Sequence, residues 1–267
     1  MEASVRGAVP VTDVDLERRF SGLRRLYGEA GYQRVRGARI AVVGLGGVGS
    51  WAVEALARSG VRSLVLVDFD HVAESNVNRQ IQALTATLGM SKAQALEQRI
   101  AGIHPGCAVQ GIEEFAGAAN WPQLLGDEPV DALIDACDQG AAKLALASWA
   151  LAGALPCVSV GAAGGKQAAQ RVEVADLAEV SHDPLLASLR QRLRRAGAPR
   201  QGLIGLRCVF SRESVAPPAG DACASDGSLN CQGYGSSVVV TATFGLVAAG
   251  EALRQVMARP APRPKPA

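Results

Sequence analysis

The 267-residue sequence lacks several features that would each assign it to a class of protein. None of its six cysteines stands in a C-x-x-C pair, which argues against zinc knuckles and thioredoxin-like redox sites. Its longest apolar run, residues 237–249, has 13 residues, whereas a transmembrane helix needs about 20. The first residues show no charged segment followed by an apolar one, so we expect no signal peptide and a cytoplasmic location.

The sequence also lacks an excess of charge of either sign, since 27 Lys and Arg residues nearly balance 25 Asp and Glu residues and the formal net charge is only +2. No overall electrostatic field therefore predicts a nucleic-acid or membrane partner, although local clusters of charge need separate consideration. Hydrophobic residues make up 48% of the chain, which is enough for a sizeable core. We expect one folded domain over residues 13–258, between disordered segments at 1–12 and 259–267.

Strand and helix patterns alternate through the first part of this domain, which predicts a Rossmann-like, doubly wound and mostly parallel α/β sheet. Buried strands are predicted over Arg39–Val43, Ser63–Val67, Ala132–Asp135 and 156–160, and a further strand over Ala108–Ile112. Helices are predicted over 51–58, Lys92–Ile103 and 141–154. An amphipathic N-terminal helix is expected over 13–27. A C-terminal extension is expected to contain an edge strand, a basic helix, another strand and a final helix, at 170–175, 184–196, 206–210 and 236–258.

A glycine-rich loop, GLGGVG at residues 44–49, connects the first predicted strand to the first helix after it. Gly44 permits a tight turn, Gly46 lets backbone amides approach a phosphate, and Gly49 allows close packing of helix on strand. Asp68 ends the next strand, 19 residues after Gly49, where a carboxylate can accept hydrogen bonds from a ribose. The loop, which also contains Gly47, predicts a bound nucleotide, and these features alone suit NAD as well as ATP.

Residues that follow the second strand favour ATP. Asp70 lies just after Asp68, Asn76 and Arg79 stand in the segment SNVNRQ, and Lys92 begins a predicted helix. Cleavage at the α-phosphate of ATP builds negative charge on pyrophosphate, which fixed cations and amide donors stabilise. Each of these residues alone is also typical of a solvated charge or a turn, but together they indicate a triphosphate site.

Asp138 follows the buried strand 132–135, at the edge of the sheet where open α/β proteins bind ligands. Its carboxylate is therefore a candidate for contact with the nucleotide or with Mg²⁺. Capping the N-terminus of the next helix is an alternative role for the same side chain.

At this point the chain resembles a family, the ubiquitin-activating-enzyme-like adenylyltransferases. The segments that carry the resemblance, in order and spacing, are GLGGVGSW, VDFD, SNVNRQ, GMSK and IDACD. The resemblance implies that Asp68 holds the ribose and that Asp138 lies near the metal or nucleotide. It also implies that Asn76, Arg79 and Lys92 hold phosphates.

The family resemblance further implies a homodimer in which an N-terminal arginine reaches the phosphates bound by the other subunit. The candidates in the segment RRFSGLRRLYG are Arg19 and Arg25, and we favour Arg25 as the residue that acts with Arg79, Lys92 and Asp138 in catalysis.

Within this family the chain is similar to the branch of tRNA threonylcarbamoyladenosine dehydratases over residues 15–257. Segments that carry this similarity include RRFSGLRRLYG, GAAGG, SHDPLLASLRQRLRR and CQGYG, the last leading into VTATFGLVA. The similarity implies that ATP activates the carboxylate of a threonylcarbamoyl group on an adenosine beside the tRNA anticodon. Ring closure then displaces AMP with net loss of water.

Three competing functions remain open from the sequence. The first is activation of a ubiquitin-like sulfur-carrier protein. Bacterial enzymes of that kind usually have two zinc-binding C-x-x-C pairs, which this chain lacks, so we expect ATP and Mg²⁺ but no zinc. A monovalent cation is a further candidate ligand. The second function is that of an NAD(P)-dependent oxidoreductase, and the third is that of a non-catalytic nucleotide sensor or sulfur-relay scaffold.

Two further features belong to the C-terminal part, residues 166–258, which follows an expected nucleotide-binding half at 36–165. The predicted basic helix contains Arg190, Arg192, Arg194 and Arg195, for which we predict contact with tRNA phosphates; a solvated helix face is the alternative. Cys231 lies in a glycine-rich loop. The resemblance offers it as an acceptor of sulfur from a cysteine desulfurase system, and a structural cysteine is the alternative.

Overall fold

Short strands with buried side chains form the centre of a seven-stranded sheet in the computed structural model, which describes residues 14–215 and 234–259. Continuous burial is typical of parallel strands that are covered by helices on both faces. In chain order the strands are β1 (Arg39–Val43), β2 (Ser63–Val67), β3 (Ala108–Ile112), β4 (Ala132–Asp135), β5 (Cys157–Val160), β6 (Val172–Asp176) and β7 (Arg207–Ser211).

The strands lie in the order β3-β2-β1-β4-β5-β7-β6, and each neighbouring pair is parallel except β6 with β7. The predicted doubly wound, mostly parallel sheet is therefore confirmed. The chain direction across the sheet reverses between β1 and β4. In open α/β sheets the crevice at such a point, outside the carboxyl ends of the strands, is where ligands bind.

Six α-helices cover the sheet in the described part of the chain. They are α1 (Leu16–Gly37), α2 (Gly49–Arg58), α3 (Lys92–Ile103), α4 (Gly140–Ala152), α5 (Pro184–Arg195) and α6 (Val238–Ala258). Most begin within two residues of the predicted position. Ser91 is the N-cap of α3, since its hydroxyl accepts a hydrogen bond from the backbone amide of Gln94.

Helix α1 begins three residues later than predicted and ends ten residues later, because the chain continues as a helix beyond a kink at Gly28. Gly28 has a φ of 71°, which interrupts the helical backbone without ending the helix. The second half of α1 then buries Tyr32 and Val35 against the domain.

Two hydrophobic clusters hold the helices to opposite faces of the sheet. Leu56, Leu96 and Phe244, from α2, α3 and α6, pack with one set of strand side chains. Leu146 and Leu189, from α4 and α5, pack with the alternate set. Within the two described ranges no helix has the length and apolar character needed to cross a bilayer.

A buried ion pair joins α4 to the carboxyl ends of β4 and β5. The ammonium of Lys143 lies 2.9 Å from Oδ2 of Asp135, and both side chains are almost fully buried. The hydroxyl of Ser159 donates a second hydrogen bond, of 2.7 Å, to the same carboxylate oxygen. Burial is the largest single influence and acts to lower the pKa of Lys143, but the attraction of Asp135, its hydrogen bond and the neighbouring cysteines together outweigh burial and raise that pKa, so the ammonium stays charged.

Replacing Lys143 with Met leaves the Asp135 carboxylate buried without its cation, and we expect the free energy of unfolding to fall by about 3–5 kcal/mol. Arg212 forms a 3.0 Å ion pair with Glu173 on the surface, where both side chains are largely exposed. The matched variant Arg212→Met should therefore lose at most about 1 kcal/mol. Urea denaturation followed by circular dichroism measures both variants, and equal losses would contradict a special role for the buried pair.

Candidate active site

The glycine loop lies at the carboxyl end of β1 and is closed tightly against the turn that follows β4. Gly44 has a φ of +86°, and a Cβ atom there would lie only 2.7 Å from the backbone nitrogen of Cys137. A Cβ on Gly49 would lie 1.7 Å from the carbonyl oxygen of Gly44. Side chains are therefore excluded at both positions, and α2 begins directly from the loop.

The start of α2 presents unpartnered polar groups, as expected for a phosphate site. Val48, at the N-cap, makes no side-chain hydrogen bond to the first turn, so the amide groups there have no capping side chain. The hydroxyl of Ser50 is buried and has no hydrogen-bond partner among the described residues. These donors and the positive end of the helix dipole favour an anion.

Asp68 connects the glycine loop to the cations of the site. Its Oδ2 accepts a 2.6 Å hydrogen bond from the amide of Leu45, and its Oδ1 accepts one of 2.9 Å from the amide of Asp70. The buried ammonium of Lys92 lies 2.7 Å from Oδ2 of Asp70 and 3.6 Å from Oδ1 of Asp68. The structure thus brings these three predicted residues together beside Leu45, with Asp70 the most exposed of them.

Arg79 lies directly over the glycine loop. A Cβ on Gly47 would come within 3.1 Å of Cγ of Arg79, so the arginine stem covers that part of the loop. The guanidinium donates to the carbonyl of Ser75 and to the side chain of Asn78, and burial lowers its pKa without discharging it. The indole of Trp51 donates to the Arg79 carbonyl, which holds this turn onto α2.

Asn76 is buried beneath the same turn and has a structural contact of its own. Its side-chain oxygen accepts a 3.0 Å hydrogen bond from the amide of Ala73, the pattern of a turn-forming asparagine. The structure therefore shows the turn-forming contact directly, while the predicted phosphate contact would use the remaining amide NH₂ group.

Asp138 is exposed next to the glycine loop, and the buried network below it determines its position. Oδ1 of Asp135 accepts hydrogen bonds from both the amide and the thiol of Cys137, and so holds the turn that ends at Asp138. The residue at the N-cap of α4 is Gln139, not Asp138, so the capping alternative is not observed. In the residues that the structure covers, no group of three or more His, Cys, Asp or Glu side chains could hold a metal ion.

Sequence reasoning missed Gln82, which supports the loop from below. Its side-chain nitrogen donates 2.9 Å to the carbonyl of Leu45, and its buried oxygen has no partner within the described ranges. The segment NRQIQ contains two glutamines, Gln80 and Gln82, and their two-residue spacing would place both side chains on one face of an extended chain. That spacing does not tell which part of the protein this face contacts. The contact of Gln82 with the loop depends on tertiary structure.

The two arginine candidates of α1 differ in their surroundings. Arg19 donates a hydrogen bond to the carbonyl of Ile103, which ties it to the end of α3 in its own subunit. Arg25 lies six residues later, and its side chain is exposed like that of Arg19. Of the two candidates, only Arg25 makes no hydrogen bond or ion pair with the residues that the structure describes.

The basic helix α5 presents its four predicted arginines in three different settings. Arg190 points back to the domain, where it donates to the carbonyls of Leu177 and Val180. Arg192 reaches the start of α4, since a Cβ on Gly140 would lie 3.1 Å from its Nη1. Arg194 and Arg195 line a surface groove of about 620 Å³ together with Arg200. Cys231 lies outside the described residues.

Comparisons with known proteins agree with this geometry. The tRNA threonylcarbamoyladenosine dehydratase of Escherichia coli K12 is 40% identical over 255 residues, which cover 91% of this chain and 95% of that protein. The enzyme of the same name from Haemophilus influenzae is 35% identical, over 90% of this chain and 94% of its own length. A crystal structure of the E. coli dehydratase in complex with ATP superposes with a TM-score of 0.83 at 39% identity, covering 94% of this chain and 98% of that one.

The ThiF family model matches residues 18–267, a span that contains the glycine loop, the Asp68–Lys92 cluster, Asp138 and the arginines of α5. A match of that extent, together with the near-complete alignment to the two dehydratases, shows that the chain belongs to the ThiF family.

Proposed function

We propose that this protein is an ATP-dependent tRNA threonylcarbamoyladenosine dehydratase. The observation that carries the proposal is the extent of the similarity, because it includes 95% of the E. coli dehydratase and is not confined to the glycine loop shared by many nucleotide-binding proteins. In this proposal residues 36–165 bind the nucleotide, and residues 166–258 bring the RNA to it within one domain.

ATP fits the residues that surround the glycine loop. The uncapped start of α2 suits the phosphates, and Arg79 and Lys92 supply positive charge on two sides of the loop. Asp68 retains free lone pairs on both carboxylate oxygens and can accept from a ribose hydroxyl. Asn76 and Asp70 complete the proposed set.

Mg²⁺ would bind to Asp138 and to phosphate oxygens of ATP. This assignment fits the chemistry of Mg²⁺, which is usually held by one or two carboxylates together with substrate phosphates. The ion would neutralise charge on the leaving pyrophosphate. A monovalent cation is a further proposed ligand, and zinc has no place in the proposed chemistry.

The reaction proceeds in two steps. First, the carboxylate of the threonylcarbamoyl group attacks the α-phosphorus of ATP, and the bond to the leaving pyrophosphate breaks. A nucleophilic atom of the same modification then attacks the activated carbonyl carbon and loses its proton, while the bond from that carbon to AMP breaks. One carboxylate oxygen leaves with AMP, so the modified nucleoside becomes lighter by one water overall. Because the second attack is intramolecular, proximity supplies much of its rate, and the chain's task is positioning and charge neutralisation.

We further propose a cytoplasmic homodimer in which Arg25 reaches the phosphates held by the other subunit. Both arginines are exposed, but Arg19 donates to the carbonyl of Ile103, whereas Arg25 has no such contact in the described part of the chain, and this supports the assignment. A cysteine desulfurase system acting on Cys231 is a separate proposed partner, and adenylation does not require it.

The decisive experiment incubates the protein with ATP, Mg²⁺ and tRNA bearing threonylcarbamoyladenosine, followed by mass spectrometry of the released nucleosides. We expect a product lighter by one water and stoichiometric AMP. An unchanged nucleoside with ATP intact would contradict the proposal. Turnover of ATP that requires a ubiquitin-like sulfur-carrier protein in place of tRNA would indicate the alternative, a sulfur-carrier activator.

Asp68→Ala, Arg79→Ala and Lys92→Ala should each lower kcat/KM by at least about 100-fold, because each removes a fixed contact to ribose or phosphate. The control Arg58→Ala removes an exposed arginine from the far end of α2 and should retain wild-type activity. Steady-state kinetics measures all four variants, with thermal unfolding to confirm that they are folded. Retained activity in the first three would refute the assigned roles.

Charge reversal on α5 tests the proposed RNA contacts. The triple variant Arg192→Glu, Arg194→Glu, Arg195→Glu should bind tRNA at least about tenfold more weakly. Its affinity should also depend less on salt, with the logarithmic slope reduced by about one unit for each arginine that no longer meets a phosphate. Filter binding across a range of salt concentrations measures both quantities.

A control triple, Arg58→Glu, Arg62→Glu and Arg171→Glu, makes the same change of net charge at exposed positions elsewhere. It should leave the salt slope at its wild-type value. If the two triple variants weakened binding equally, overall charge and not the α5 surface would account for the affinity.

Mixing two inactive variants tests whether Arg25 acts across a dimer. Arg25→Ala and Lys92→Ala should each be inactive alone. In a mixed dimer, the subunit with intact Lys92 receives Arg25 from the other subunit, so random exchange should restore about a quarter of wild-type turnover. Exchange through dilute denaturant followed by the nucleoside assay measures this, and no recovery would mean that Arg25 acts within its own subunit or has no catalytic role.

A further inference from the structure

A second groove lies at the N-terminal end of α5, on the same edge of the sheet as the glycine loop. It encloses about 430 Å³ and is lined by residues 180–184, Ala187, Arg190, Ser214 and Val215. Its volume falls in the range of sites that bind small molecules or single nucleosides. None of the nucleotide contacts proposed above uses its lining.

His182 gives this groove its distinctive chemistry. Its backbone has a φ of +59°, a left-handed conformation that is uncommon for a residue other than glycine. Such strain persists only where surrounding structure maintains it, and it is concentrated at functional positions. The imidazole is exposed, and Nδ1 lies 2.9 Å from the hydroxyl of Ser181, which leaves Nε2 for a ligand.

Asp183 fixes the groove to the sheet. Its Oδ1 accepts from the amide of Leu186 and so caps α5, while its Oδ2 accepts from the amide of Ala162, just after β5. Ser214 lies shortly after the end of β7, which is parallel to β5. Asp138 follows β4 and Ser214 follows β7, and because neighbouring strands are about 4.8 Å apart, these two strand ends lie about 10 Å apart along the same edge of the sheet.

The groove is continuous with the arginine groove of about 620 Å³ along α5, because Ala187 and Arg190 line both. In the arginine groove the Nε of Arg194 is shielded from solvent and has no partner in the described part of the chain. The guanidinium groups of Arg194, Arg195 and Arg200 line the groove, and several such groups together favour an anionic ligand. Arg192 does not line this groove and reaches the start of α4 instead.

We propose that the smaller groove binds the modified adenosine of an RNA loop whose flanking phosphates lie in the arginine groove. His182 is then a specificity-determining residue. Its imidazole can stack on a splayed base or hydrogen-bond to its polar edge, which is how single-stranded RNA loops are commonly recognised. This inference rests on the proposed dehydratase function, for which it supplies the substrate subsite.

The first test deletes the imidazole with His182→Gly, a change that also relieves the positive φ and so leaves folding intact. We expect kcat/KM for threonylcarbamoyladenosine-bearing tRNA to fall at least about tenfold, with an unchanged KM for ATP. The variant should also discriminate less between tRNAs: the ratio of its affinity for modified tRNA to its affinity for unmodified tRNA should fall towards one. The dependence of affinity on salt concentration should not change, because the arginines still contact the phosphates.

The second test fills the groove. Ala187 is exposed, so Ala187→Trp should fold normally, exclude the base and reproduce the loss of discrimination between modified and unmodified tRNA. Ala101→Trp places the same side chain at an exposed position on α3 and serves as the control, with wild-type discrimination expected.

The outcomes separate the two proposals. If the wild-type protein forms no dehydrated nucleoside, the proposed function fails, and the binding ratios still decide whether the groove recognises the modification. If the wild-type protein is active and both His182→Gly and Ala187→Trp keep its kcat/KM and discrimination, the inference about the groove is wrong.

Discussion

The close contact between the glycine loop and the turn after β4 is the constraint on which the rest of the site depends. Gly44 and Gly49 have no room for a side chain, so β1, α2 and residues 136–137 approach within van der Waals distance. Through the Leu45 amide this contact orients Asp68, and through the turn it orients Asp138. A site assembled from three separate strand ends thereby behaves as one rigid unit, which favours electrostatic stabilisation without reorganisation.

The buried ion pair below that contact shows two opposing effects. Removing Lys143 and Asp135 from water is unfavourable, and apolar residues of similar size could fill the space at less electrostatic cost. A carboxylate, however, accepts several hydrogen bonds in defined directions, and Asp135 uses this to hold α4, β5 and Cys137 at once. Apolar packing would stabilise the same elements without fixing the direction in which the turn presents Asp138.

Much of the architecture could be predicted from local pattern, because buried strands and capped helices leave their periodicity in the sequence. The bounds of β1 to β4 agree with prediction residue for residue, and the edge position of β6 follows from its alternation. The length of α1 could not be predicted, since Gly28 looks like a helix end when its packing is unknown. The same limitation applies to Gln82 and to the inward contacts of Arg190, which depend on residues distant in the chain.

Asp183 has a consequence for how this protein could be altered. One carboxylate caps α5 and, with its other oxygen, holds the backbone of residue 162; a Cβ on Gly161 would lie 2.1 Å from that oxygen. One side chain thus holds both the start of α5 and the loop after β5 in place. An exchange of α5 between relatives would keep this contact only if the new helix had an aspartate at position 183 and position 161 remained a glycine, although some twenty positions separate the two in the chain.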